Sequence, residues 1–221
     1  MRPNRNTSVH RMIAAMLMTA LMLAMASPAA LAARQNDSQK ISQAAFNQAM
    51  RKLWEDHITW TRLYIVSAAA NLPDKDATAQ RLLQNQADIG NAIVPFYGQA
   101  AGEKLTALLK DHILGAAELI EAAKSGDKAK TDAAAAKWYA NGDEIAAFLS
   151  SANPKSWPLV DMKAGMKMHL DLTLAEATAR LQGKYADDIA DFDKIHTHIL
   201  GLADLLSSGI IKQFPQKFSK S

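Results

Sequence analysis

The chain contains no cysteine, which excludes disulfides, iron–sulfur clusters, thiolate zinc sites and C-x-x-C-H haem attachment. Glycine is sparse, ten residues in 221, and nowhere forms the glycine-rich loops that cradle phosphates between a strand and a helix. No stretch sustains the alternation of apolar and polar residues that marks a half-buried strand. There is no H-E-x-x-H pair, and no Glu-x-x-His pair of the kind that builds di-iron bundles. Zinc-protease, nucleotide-transfer and parallel-sheet chemistries therefore have no foothold.

One long apolar run is present, and it lies at the amino terminus. Arg2, Arg5 and Arg11 precede "MIAAMLMTALMLAMA" (Met12 to Ala26), followed by "SPAALAA" with Ala30 and Ala32 at small-residue positions. A basic segment, an apolar segment and an A-x-A site are the parts of an export signal, with Ala32 the last residue removed. The run is shorter than the roughly 20 residues a membrane span requires. Residues 1–32 are thus expected to be a signal peptide, and 33–221 a single exported domain, periplasmic or secreted, without a stable membrane anchor. The chain carries 25 Lys+Arg against 22 Asp+Glu, and removing those three arginines balances it. A near-neutral domain without clustered basic charge has no nucleic-acid footprint.

What dominates is alanine, leucine, lysine and glutamine at helical spacing. Turn signals at "LPDKD", "YG", "SGD", "ANP" and "QGKY" divide the domain into six segments, about 38–71, 77–98, 101–124, 128–151, 156–183 and 187–212. Such punctuation marks helix ends. Short connections favour antiparallel neighbours, so the expected fold is all-α, an up-down bundle of about six helices.

A weak helical-hairpin repeat runs through it. "LLQNQADIGNAI" and "WYANGDEIAAFL" share Asn, an acid three residues on, then Ile: Asn85-Asp88-Ile89 and Asn141-Glu144-Ile145. His112 lies 27 residues after Asn85, and His169 lies 28 after Asn141. A third copy would be split between the chain ends, through His57 and His198. Each of His57, His112 and His169 shares a helix face with apolar neighbours, and depth counting from the turns puts Asn85 level with His112 and Asn141 level with His169. His196 and His198 fall on opposite edges of the last helix, so they cannot chelate together, and which of them faces inward is open.

These residues admit two readings. One is a metal layer, with His57, His112, His169 and His198 as ligands and Asp88 or Glu144 supplying oxygen. "MKAGMKMH" adds thioethers, since Met162, Met166 and His169 recur on one helix face and only four of the ten methionines lie beyond the apolar run. Histidine with methionine favours copper, whereas histidine with carboxylate favours zinc, iron or manganese. The other reading is structural: buried histidines bonded to asparagines fix helix register, and the methionines simply pack. Trp54, Trp60 and Trp138 read as packing anchors near the histidines. A hydrolase or transferase using histidine with an acid is a third, weaker reading.

"LWEDHITWTR", "RLLQNQADIGNAI", "KWYANGDEIAAFL" and "GIIKQFPQKF" together resemble a family of small helical bacterial proteins, some of which carry labels such as acetylglutamate kinase or glycosyltransferase. The resemblance implies the helical fold and supplies no catalytic residue; neither label fits a chain without a nucleotide loop or α/β alternation. If the export reading holds, amino-terminal sequencing of the exported protein finds Ala33, or a residue within two of it, at the start, and an intact Met1 there contradicts cleavage.

Overall fold

The computed structural model describes residues 40–219; the expected signal segment, 1–32, lies outside them. Six helices follow in order: α1 (Gln43–Ala70), α2 (Lys75–Tyr97), α3 (Gln99–Ser125), α4 (Lys128–Ala152), α5 (Leu159–Leu181) and α6 (Tyr185–Gln213). The helix ends follow from the turn residues. Asn71 closes α1 in the left-handed conformation at φ 52°, and Gly126 closes α3 at φ 72°; these are the residue types that tolerate that region. Asp127 caps α4 by accepting a bond from the Lys130 amide at 3.1 Å, and Pro158 precedes the first turn of α5.

Each helix packs on its sequence neighbours, and α6 returns to pack against α1, closing the bundle. The odd-numbered helices also touch inside it, α1 meeting both α3 and α5. The core runs from Phe46 and Met50 through Ile58, Ile89, Leu109, Ile145, Ile195 and Ile199. No helix among the described residues is long and apolar enough to cross a membrane.

The first expected segment began near residue 38, but α1 starts at Gln43 because Ile41–Ser42 pairs in parallel with Phe218–Ser219. The pair is held by an aromatic cluster. Phe218 stacks on Phe96 with centroids 5.5 Å apart and lies 5.2 Å from Phe46. Lys217 Nζ donates to the carbonyl of Pro95. Both ends of the domain are thereby fastened beside the α2–α3 turn.

That turn is tight for a specific reason. A Cβ on Gly90 would lie 1.9 Å from Thr106 Oγ1 and 2.6 Å from the Gly102 carbonyl oxygen. The Gly102 backbone cannot swing aside as a side-chain tip can, so α2 and α3 approach this closely only because both positions lack a side chain. Gly201 on α6 has nothing within 4 Å of a built Cβ. Gly90→Ala is therefore expected to destabilise the fold by about 1–3 kcal/mol through overpacking. Gly201→Ala is expected to stabilise it by about 0.5–1 kcal/mol through backbone entropy. Urea denaturation of the two variants should give shifts of opposite sign, and a stabilised Gly90→Ala protein would contradict this crossing.

Candidate functional site

Three helices bring three imidazoles to the middle of the bundle. His57 on α1, His112 on α3 and His169 on α5 are 2%, 3% and 4% exposed, deep enough that water cannot solvate them. His169 is the hub: its ring centroid lies 5.8 Å from that of His57, 6.1 Å from that of His112 and 6.2 Å from that of His198. A cavity of about 20 Å³ sits among them, lined by Trp54, His57, His112, His169, Met162 and Met166 with six aliphatic side chains. A space of this size is enough for one water-sized occupant, which needs about 10–15 Å³. No carboxylate lines it.

Each histidine is fixed from its backbone outward. Asn85 Nδ2 donates to the Leu53 carbonyl at 3.0 Å, Asn141 Nδ2 to the Leu108 carbonyl at 3.1 Å, and His198 Nε2 to the Gly165 carbonyl at 3.0 Å. Leu53, Leu108 and Gly165 each lie four residues before a cavity histidine, so these carbonyls already accept the amides of His57, His112 and His169 in the helix ladder. A polar side chain from the next helix thus grips each odd helix one turn before its histidine. The histidines' own carbonyls take further bonds, from Thr61 Oγ1 at 2.8 Å, Trp138 Nε1 at 3.1 Å and Thr173 Oγ1 at 2.8 Å.

The side-chain pairing differs from the one those matched depths imply, Asn85 across to His112 and Asn141 across to His169. Asn85 instead bonds back to α1 and accepts from Gln86 at 3.2 Å. Asn141 Oδ1 meets His112 Nδ1 at 3.0 Å. The histidine belongs to the helix before each asparagine, and His198 stands at the third asparagine position rather than in a split copy. Depth counting from a turn cannot separate the two arrangements, because either neighbouring helix lies at the same level. The question of α6 is also settled: His198 points inward to Gly165, and His196 meets Glu55 at 3.1 Å on the surface.

The protonation states follow. Burial lowers the His57 imidazole to about 3, with nearby His112 adding to the shift and Gln86 opposing it. Burial lowers His112 to about 4 against the opposing bond from Asn141. His169 is driven well below its usual value, by burial first and then by the other three histidines. All three are neutral at pH 7. In His112 the tautomer is legible: Asn141 spends Nδ2 on Leu108, so its Oδ1 accepts, Nδ1 of His112 carries the proton, and Nε2 is the lone-pair nitrogen. His169 Nδ1 and Trp54 Nε1, on residues that line the cavity, are buried without a hydrogen-bond partner, whereas the His57 ring is met by the Gln86 amide. Buried polar atoms are normally paired, so two unpaired nitrogens on lining residues single out this cavity.

The remaining sequence candidates lie elsewhere. Asp88 accepts from Gln84 on the surface at 3.1 Å, and Glu144 is exposed. Met162 lines the cavity, Met166 is half-buried in its wall, and Met168 is exposed, so the three methionines face three environments. Trp138 stacks on His112 at 5.2 Å, whereas Trp60 sits under the Arg81 guanidinium at 5.2 Å. Among the described residues no group of three or more His, Asp or Glu side chains is arranged to hold a metal ion.

A second buried polar group escaped the sequence reading. Arg62 on α1 bonds Glu176 of α5 at 2.6 Å and Asp188 of α6 at 2.7 Å, both acids fully buried, and Arg180 reaches Asp188 at 3.4 Å. Burial raises the Glu176 carboxyl to about 7 despite the guanidinium beside it. Glu176 lies seven residues after His169, on the same face of α5, and that spacing was the available signal.

No family model matches this chain, and neither a curated protein nor a solved structure resembles it to a significant degree.

The two groups act oppositely on pH dependence. Each cavity histidine has a folded-state value below the unfolded value of 6.5. Its contribution to stability is complete above 6.5 and is lost as pH falls towards the folded value, by up to about 1.4 kcal/mol per pH unit per histidine. Glu176, with a raised value, contributes fully below about 4.5 and loses that contribution as pH rises through about 7. Urea denaturation is expected to show stability dropping steeply from pH 6.5 to 4.5. His57→Met should flatten that slope. A flat wild-type profile over this range would mean that the imidazoles are not desolvated.

Proposed function

We propose that this is an exported, non-catalytic bundle whose core binds one soft metal ion, Cu(I), between buried imidazoles and methionine thioethers. The observation that carries the proposal is His112. It is neutral, its Nδ1 proton is committed to the Asn141 carbonyl oxygen, and its Nε2 lone pair is the nitrogen left for a ligand bond. Metal-bound histidines are held in this way, with the second nitrogen donating to an oxygen that fixes ring and tautomer.

The chemistry of the lining sorts the metals. Zinc, iron and manganese sites draw on carboxylates or closed sets of nitrogen and sulfur donors. This cavity offers imidazoles and the thioethers of Met162 and Met166, with no acid. A cation of single charge suits a space without a counter-ion, and thioethers select Cu(I). Two imidazoles on one ion, each bonded at about 2 Å, have ring centroids roughly 5–6.5 Å apart. The His57–His169 and His112–His169 separations of 5.8 and 6.1 Å lie in that range. Since no three histidines or acids form a cage, the ion takes His169 with His112 or His57, completed by a methionine. His198, bonded to Gly165, acts by holding α5 in place.

The structural reading has its own support. The bonds from Asn85, Asn141 and His198 fix helix depth whether or not anything fills the cavity, and a single water would also fit. On that view the protein is an envelope interaction partner whose histidines set register.

Titration of the reduced protein with Cu(I) against a chromogenic chelator separates the two. The metal reading expects one equivalent bound by the wild type, none by His112→Gln/His169→Gln, and no competition from Zn²⁺. The structural reading expects no retained copper, and a double variant altered only in stability, by about 1–3 kcal/mol for each buried partner lost.

A further inference from the structure

A groove of about 380 Å³ opens on the surface between α4 and α5. Its polar lining is self-neutralised: Lys163 bonds Asp143 at 2.8 Å, and Lys167 and the Tyr139 hydroxyl donate at 2.6 and 2.7 Å to Asp171, which lines a neighbouring groove. Its floor is apolar, made by Ala140, Gly142, Ala164, Leu170 and Met166. Met166 is also a wall of the histidine cavity, and it is the one side chain common to both linings.

We infer that Met166 is the gate of the buried cavity and that the α4–α5 groove is its portal. The inference rests on the cavity being a binding site and deepens that reading by giving the occupant a route. Methionine is suited to the position because its side chain is unbranched and changes rotamer easily. Gly142 leaves it room: a Cβ there would approach Leu170 Cδ2 to 3.1 Å and Met166 Cε to 3.8 Å, narrowing the floor where the thioether must swing. The opposed charges on the rim present a cation with neither a barrier nor a competing free carboxylate cluster. A thioether at the gate also gives Cu(I) a first soft ligand on the way in, before His169, three residues further along α5. Met162, 2% exposed, lines the cavity and not the groove, so it is not part of the gate.

The test measures access without depending on metal. Deuterium exchange at the imidazole C2 position, read residue by residue by mass spectrometry, reports solvent reaching each histidine. In the wild type His169 should exchange far more slowly than His196. Met166→Ala removes the gate and should speed His169 several-fold. Met162→Ala enlarges the same cavity without opening it, and should leave the His169 rate unchanged, with circular dichroism showing both variants helical. Equal rates in wild type and Met166→Ala, or equal acceleration in both variants, would overturn the gate. Titration of the wild type with Cu(I) alone forms the second arm. If His169 access responds to Met166 while the wild type binds no Cu(I), the gate stands and the copper reading fails. If copper binds stoichiometrically and access is indifferent to Met166, the copper reading stands and the gate fails.

Discussion

The architecture depends on three side-chain bonds to backbone carbonyls that already serve a helix. Asn85, Asn141 and His198 each reach the carbonyl one turn before a buried histidine on the preceding helix. An apolar interface alone would let two helices slide by a turn at little cost, since leucine and alanine fit many neighbours. A polar group buried opposite a particular carbonyl removes that freedom, because any slip leaves it unpaired at a cost of about 1–3 kcal/mol. Three such bonds, one between each odd helix and its successor, set the depth of His57, His112 and His169 together. The cavity among those rings is the geometric remainder of that alignment.

Electrostatics then gives the middle of the bundle its character. Imidazoles placed so deep stay neutral, and neutral imidazoles keep a lone pair that a protonated ring would lack. The same burial that costs stability in acid keeps these rings unprotonated at neutral pH. Two turns along α5 the solution is different: Glu176 and Asp188 are buried against Arg62, with Arg180 at the edge. Removing one partner from such a cluster typically costs about 3–5 kcal/mol. This second layer ties α1, α5 and α6 together where the bundle closes on itself, and it leaves the histidine cavity free of carboxylates.

Much of the fold was legible because turn residues are local signals. The first five segments end within a few residues of Asn71, Gly98, Gly126, Asn153 and Gly183, each marked by glycine, asparagine or a nearby proline. Inward-facing histidines were legible from the 3.6-residue period. What failed was pairing. Asn85 and Asn141 are equidistant in depth from the histidine before and the histidine after, and periodicity on one helix says nothing about which neighbour a side chain reaches. The Ile41–Ser42 pairing with Phe218–Ser219 joins residues too far apart, and strands too short, to leave any pattern. The Arg62 cluster was hidden for a related reason: charged residues at helical spacing read as a solvated face until the packing of a third helix buries them. "MKAGMKMH" proved to be neither all ligand nor all core, since its methionines lie inside the cavity, in its wall and in solvent.

The central claim is that one small soft cation sits between His169 and a second cavity imidazole. Anomalous diffraction at the copper edge, from crystals grown under reducing conditions with one equivalent of Cu(I), tests it most directly. The account predicts a single strong peak within bonding distance of His169 and of His112 or His57, beside Met162 or Met166. A cavity holding only water, or copper confined to exposed groups such as His196 and Glu55, would contradict it.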